Sequence, residues 1–408
     1  MKLKKFFAGV LAAAMMLTVG ATSAFATTAA TDTTATPGTN SFADNITLDS
    51  TLTLTKHYNV VKGKAPLEDF KFDVTYLGST SVETGVNYTG VTIPRKEAKF
   101  NADTTGATKT GLPVGNYSAN FTISMSELGL NNLGGTGIFV YKIAEVDAGT
   151  PGVVYNTDTG ALYMIVTVTH RTTGDDHQIV DGQYDYAVAL RRASADATVA
   201  QALTGNKVSA RDAFHNTYGA DNAVNAVNGV ELKKTVHGNF GDLGKEFTFN
   251  VAFTKGADKN YGPITVDNTA GYDIYKAAEN GEKGEKVEKV EGVEGIELVY
   301  GQTYIVTLKH NTKITFNNLP AGVTYTMTEN GKDADSNTLD GLYVVKGEQP
   351  NGTVSAGAEV DKVNIENTNE GSPDMGVVLD NAPYIAMLAI VAIGGVALML
   401  NKRRRDEE

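Results

Sequence analysis

The sequence predicts an all-β protein of two tandem β-sandwich domains, set between an N-terminal export leader and a C-terminal apolar span. Three observations carry this reading. Short runs of β-branched and aromatic residues alternate with polar ones at a period of two, turns rich in Gly, Asn, Asp and Pro separate them, and a second series of such runs follows the first. Alternation places every second side chain on one face of a strand, and two such faces packed together make a sandwich. Trp is absent, so Tyr and Phe carry the aromatic core.

The chain opens with Lys2, Lys4 and Lys5, an apolar run from Phe6 to Val19 and the small-x-small triplet Ala24-Phe25-Ala26. That order is a secretory signal peptide, residues 1–26. Residues 27–46 are mostly Thr, Ala, Asp, Gly and Pro with too little apolar surface to offset the entropy of ordering, and are read as a flexible spacer. The first sandwich is expected over 47–219, from runs such as Leu52-Thr53-Leu54-Thr55, Phe70-Lys71-Phe72-Asp73-Val74, Ile138 to Ile143 and Tyr163 to Val168. Ser126-Glu127-Leu128 and Ser194 to Leu203 suit short helical inserts.

An Asn-rich and Gly-rich stretch, Tyr218 to Gly229, breaks the pattern and places a linker at 220–227. The second sandwich is expected over 228–370, with runs at Phe247 to Val251, Tyr304 to Leu308, Ile314 to Phe316 and Tyr325 to Thr328. Within it, Glu279 to Glu294 is rich in Lys, Glu and Gly and reads as a solvated loop. Residues 371–408 hold Ser372-Pro373-Asp374-Met375-Gly376, an apolar span over 382–400 and the basic run Lys402-Arg403-Arg404-Arg405. A span of about 19 apolar residues is long enough to cross a bilayer core, and the basic run is a cytoplasmic stop.

The formal charge is -12. Without the three leader lysines it falls to about -15, since the segment after Met375 carries four residues of each sign. An acidic surface argues against nucleic acid as a partner. Cysteine is absent, so an exported chain of this kind must be held by core packing, by metal or by another covalent link. The six His are scattered and no G-x-S-x-G occurs, so neither an enzyme acting on another molecule nor a cofactor is expected. Asp333-x-Asp335-x-Asn337 opens like a calcium loop, but Thr338 and Val344 stand where Gly and Glu are required, so the segment reads as a turn and no metal site is assigned.

One polar set occurs in both halves. Leu52, Leu54 and Lys56 are followed by Phe139, Tyr141, Ile143 and Glu145, then by Asn216; Val230, Leu232 and Lys234 are followed by Tyr325, Met327 and Glu329, then by Asn367. Because side chains alternate, each Lys and Glu shares the inward face with the apolar residues before it. Lys233 faces the other way. A buried ammonium and carboxylate cost several kcal/mol per ion unless paired. The trios are therefore either buried ion pairs with a hydrogen-bonding Asn or the reactants of a spontaneous Lys–Asn amide. In the second case each Glu is the acid and base.

Residues 47–219 resemble the isopeptide-linkage domain of Gram-positive, streptococcal-type backbone pilins, on the Y-x-I-x-E-V pattern at Tyr141 to Val146 and on Gly152-Val153-Val154-Tyr155. Residues 228–370 resemble the related domain with K-x-V-x-G-N at Lys234 to Asn239, E-F-T-F at Glu246 to Phe249, L-P-A-G-x-x-Y at Leu319 to Tyr325, and Glu329. The resemblance implies immunoglobulin-like (CnaB-like) sandwiches whose first and last strands are joined by isopeptide bonds, Lys56 to Asn216 with Glu145 and Lys234 to Asn367 with Glu329. The C-terminal segment resembles an LPxTG-type sorting signal on Pro373 and Gly376, with Ser372 in place of Leu and Met375 in place of Thr. That resemblance implies a sortase, neighbouring subunits and the peptidoglycan wall as partners, with Lys207 as the candidate polymerisation lysine and Lys62 and Lys64 as rivals. The expected product is a surface pilus subunit supporting adhesion. The alternatives are a monomeric wall-anchored or membrane-anchored adhesin or stalk, and, for the C-terminal segment itself, a plain single-span anchor.

Overall fold

The computed structural model describes residues 25–26 and 50–371, apart from 131–132, 156–157, 159, 174–177, 222–224, 257, 268–270, 290–294, 332–337, 341, 349 and 358. Pro373, Met375, Gly376, the span 382–400, the spacer and most of the leader lie outside the described residues. No helix among the described residues is long and apolar enough to cross a membrane.

The N-terminal strands are β1 (Phe25–Ala26), β2 (Thr51–Val60), β3 (Glu68–Thr80), β4 (Lys96–Phe100), β5 (Gly115–Ser124), β6 (Gly137–Glu145), β7 (Val153–Val154), β8 (Ala161–Thr172), β9 (Ile179–Ala193), β10 (Asn206–Lys207) and β11 (Phe214–Tyr218). They form two sheets, one ordered β5-β2-β11-β7 with β1 beside the start of β2, the other β10-β9-β8-β6-β3-β4. The first strand β2 lies next to the last strand β11 and runs parallel to it. The strict alternation of β2, half-buried then buried along its whole length, follows the sequence pattern residue by residue. Between the sheets, Phe72 of β3 stacks on Phe121 of β5 at 4.1 Å and leans on Phe214 of β11.

Strand β8 departs from the expected alternation, because both of its faces are buried along most of its length. The cause is the insert that follows β9. Helix α1 (Val199–Thr204), capped by the Thr198 side chain accepting from the Gln201 amide, covers the outer face and builds a small second core of Val140, Tyr163, Ile165 and Ala202. The other insert is one turn of 3-10 helix, Met125–Leu128.

The C-terminal strands are β12 (Val227–His237), β13 (Phe247–Thr254), β14 (Ile264–Asp267), β15 (Ile274–Ala277), β16 (Lys283–Lys286), β17 (Ile296–Leu298), β18 (Thr303–Leu308), β19 (Lys313–Pro320), β20 (Thr324–Glu329), β21 (Thr338–Leu339), β22 (Tyr343–Glu348), β23 (Asn351–Thr353) and β24 (Asp361–Thr368). Their sheets are ordered β17-β14-β19-β12-β24-β22-β21 and β16-β15-β18-β13-β20-β23. Again the first strand, β12, lies parallel and adjacent to the last, β24. Part of the expected solvated loop is a strand: Lys283–Lys286 pairs with β15 at the sheet edge, exposed at every position. Charge alone did not separate an exposed edge strand from a loop, since an edge strand is itself protected by lysines.

The two halves meet through polar contacts. Lys64, in the turn after β2, is buried and its Nζ lies 2.5 Å from Glu297 Oε1 on β17 and 2.7 Å from Thr110 Oγ1. Asn318 of β19 takes the left-handed conformation at φ 63°; its Oδ1 accepts from the Lys64 amide and the Tyr218 hydroxyl, and its Nδ2 donates to the carbonyls of Lys64 and Pro263. Every hydrogen-bonding capacity of that carboxamide is thereby used, three of the four bonds crossing the junction.

Candidate functional site: two buried lysine, glutamate and asparagine clusters

The parallel pairing of first and last strands brings the six polar residues together as two equivalent clusters. In the first, Lys56 is in register with Phe214, and Asn216 lies two positions further along β11. In the second, Lys234 is in register with Ile365, and Asn367 lies two positions further along β24. An offset of two keeps both side chains on the inward face of neighbouring strands. The glutamates reach in from the opposite sheets, Glu145 at the end of β6 and Glu329 at the end of β20.

Each carboxyl bridges its two partners. Glu145 lies 2.9 Å from Lys56 Nζ through either oxygen, and its Oε1 accepts from Asn216 Nδ2 at 2.7 Å. Glu329 lies 3.0 and 3.2 Å from Lys234 Nζ, and its Oε1 accepts from Asn367 Nδ2 at 2.9 Å. Both lysines and Asn367 are fully buried, and Asn216 is nearly so. Asn367 Oδ1 is buried without a hydrogen-bond partner. Lys233 is half-buried on the other face, opposite Lys313 and Asn364.

Burial sets the electrostatics. Desolvation lowers the Lys56 amine to about 8, against the pull of Glu145, and lowers Lys234 to about 8 against Glu329. Desolvation also raises the Glu145 carboxyl, against the opposing effect of Lys56. In the first cluster both shifts move the pair toward its neutral form, an amine and a carboxylic acid.

A third component escaped the sequence reading. Lys56 Nζ lies 5.0 Å from the centre of the Phe70 ring, and Lys234 Nζ lies 4.4 Å from that of Phe247. These rings occupy matching places, because Glu145 is in register with Phe72 and Glu329 with Phe249, each two residues after the ring in question. The signal was present in Asp69-Phe70-Lys71-Phe72 and Glu246-Phe247-Thr248-Phe249. Without the strand pairing, nothing tied those strings to the lysines.

Lys207 is exposed on β10, in register with Arg191 at the edge of its sheet. Lys62 is exposed as well. Lys64 is not: its burial against Glu297 removes it as a rival for attachment to another chain.

Over 367 residues the chain is 25% identical to a curated protein named pilin from Streptococcus pyogenes serotype M1, covering 86% of this chain and 90% of that one. It is a relative of a streptococcal pilin. Among solved structures, it resembles the major pilin from Streptococcus pyogenes at 22% identity, covering 78% of this chain and 97% of the other with a TM-score of 0.45. The major pilin T3.2 from the same organism matches at 17% identity over 78% of this chain and 97% of the other, TM-score 0.43. Residues 228–369 match a family model described as a domain of unknown function (DUF7601).

Proposed function

We propose that this chain is a structural subunit of a covalently assembled surface pilus, made rigid by two internal Lys–Asn amide bonds. The observation that carries the proposal is the repetition of one buried cluster at one strand offset in both sandwiches. A stabilising ion pair would not require it, since burying two charges gains little over well-packed apolar residues. Similarity to a pilin along most of the chain supports the same reading.

The chemistry follows from the geometry. Proton transfer from the Lys ammonium to the Glu carboxylate leaves a neutral amine beside a carboxylic acid. Rotating the carboxamide by half a turn places its Oδ1 on that acid, which polarises the carbonyl. The amine attacks Cγ of Asn, the Glu takes the amine proton and passes it to the departing nitrogen, and ammonia leaves. One C–N bond forms and one breaks, and the Glu that took the ammonium proton ends as the carboxylic acid. Fixed neighbours of this kind reach effective molarities on the order of 10⁵ M, which replaces a cofactor. The proposed roles are nucleophile for Lys56 and Lys234, electrophile for Asn216 and Asn367, and acid and base for Glu145 and Glu329. The chain catalyses no reaction on another molecule.

Assembly is assigned to the segment around Pro373, Met375 and Gly376, where a sortase breaks the Met375–Gly376 peptide bond and takes the Met375 acyl group, and to Lys207, which lies exposed at the edge of its sheet and would accept that acyl group from a neighbour. The precursor is held in the membrane by the span 382–400 and the fibre ends on the peptidoglycan wall. Wall extracts resolved under denaturing conditions should show a ladder of covalent oligomers that Lys207→Ala abolishes. A single anchored band in the parent chain would leave the monomeric stalk as the reading.

A further inference from the structure

Strand pairing also brings together two histidines that lie 158 positions apart. His57 follows Lys56 on β2, His215 precedes Asn216 on β11, and the two are directly in register. Being one residue removed from the buried cluster, both point to the outer face of the same sheet. Their rings stack at 4.8 Å with an interplanar angle of 11°. Asp212, exposed at the end of the 3-10 turn Ala210–Asp212, reaches back so that its Oδ1 lies 2.9 Å from His215 Nε2. One donor atom from each of His57, Asp212 and His215 lies within 4.8 Å of the others.

The surroundings are those of ligands held in place. His215 Nδ1 lies 3.1 Å from Asp158 Oδ1 and 3.2 Å from Oδ2, while the backbone amide of His215 donates to the same carboxylate. Arg192 Nη2 steadies Asp158 at 3.4 Å. His57 Nε2 lies 2.7 Å from the Arg211 carbonyl oxygen. A ring nitrogen engaged by a carboxylate or carbonyl fixes the tautomer and turns the other nitrogen toward a metal.

We infer that His57, His215 and Asp212 form a site for a divalent transition metal of the zinc type, on the outer face of the N-terminal sandwich. Two imidazoles and one carboxylate suit zinc, nickel or copper rather than calcium or magnesium, which take oxygen ligands. Tetrahedral bonds of about 2.0–2.2 Å hold donors roughly 3.3–3.6 Å apart, so a metal opens the 2.9 Å separation of His215 Nε2 and Asp212 Oδ1, and rotation of the exposed Asp212 side chain supplies the adjustment. Three protein ligands leave a fourth position for water. The metal takes the place of a proton between His215 Nε2 and Asp212 Oδ1, and it ties β2 to β11 back to back with the Lys56 and Asn216 pair. The inference does not depend on amide formation inside the sandwich.

Zinc titration of the purified full-length chain by calorimetry, with cobalt absorption spectra as a second readout, tests it. The expected result is one saturable site that His57→Ala or His215→Ala abolishes. Asp158→Asn is expected to weaken it about 10-fold, as loss of an outer partner typically does. Asp212→Asn, a change at an exposed position, should also remove the site without disturbing the fold, as circular dichroism would verify. Zinc should raise the melting temperature of the Lys56→Ala variant, where no Lys–Asn amide can add to the strand pairing. Absence of saturable binding at micromolar zinc, or binding unchanged in the His57→Ala, His215→Ala and Asp212→Asn variants, overturns the site. The mass of the parent chain, read on the same samples, reports on amide formation independently.

Discussion

Lys56 and Lys234 are the residues on which the account turns, because a fully buried lysine is costly and here it is built twice. The cost predicts a pH dependence whenever the amine cannot be consumed. In Asn216→Ala, Lys56 keeps its amine, which titrates near 8 in the fold and near its ordinary 10.5 when unfolded. Between those values the unfolded chain binds the extra proton, so stability rises with pH; below about 8 the penalty stands in full. The melting temperature of Asn216→Ala should therefore approach that of the parent chain as pH goes from 7 to 10. Tyrosine ionisation affects both proteins alike, so a gap that stays constant across that range would show that the amine was not buried free. The inward placement of these residues was legible in the sequence because strand alternation decides the inward face from the apolar neighbours alone. Phe70 and Phe247 were not, since their proximity to the amines depends on which strand pairs with which glutamate.

Among the elements, the turn after β2 joins the two sandwiches through the buried Lys64 and Glu297 pair and the Asn318 hydrogen bonds. Removing one partner of a buried ion pair strands the other, at a cost of about 3–5 kcal/mol. Lys64→Ala should lose stability on that scale in denaturant titrations. The double change Lys64→Met with Glu297→Leu should recover most of it, because apolar residues of similar volume commonly replace such pairs without loss. If the double variant is as unstable as the single one, the junction depends on the charges themselves. No sequence pattern announced this joint: its residues lie more than two hundred positions apart, and Lys64 reads locally as one more loop lysine. The double burial of β8 was hidden for a related reason, since the helix that covers it follows β9 in the chain.

At the scale of the whole molecule, parallel pairing of first and last strands puts the two chain ends of each sandwich on neighbouring strands. Pulling on them loads that junction directly. An amide across it closes a loop of about 160 residues in the first sandwich, which by the chain-entropy relation for cross-links stabilises by roughly 5 kcal/mol. The mechanical consequence of such an amide would be larger, because the load would fall on a covalent bond. If force enters at Lys207 and leaves at Met375, it crosses only the end of the first sandwich but the whole of the second. Single-molecule pulling from those points should extend Lys234→Ala further than Lys56→Ala, and equal extension would contradict this force path. The two-sandwich architecture was readable from strand periodicity, and the equivalence of the two clusters from the order of Lys, Glu and Asn. The metal-type cluster on the outer face was not, because only the pairing of β2 with β11 brings His57 to His215.

The most direct test of the central claim is the intact mass of recombinant residues 27–375. Each amide bond releases one ammonia, about 17 Da. A deficit of two ammonias is expected, reduced to one by Glu145→Ala or by Glu329→Ala and to none by both changes together. A mass equal to that of the encoded sequence would contradict the account and reduce both clusters to buried ion pairs.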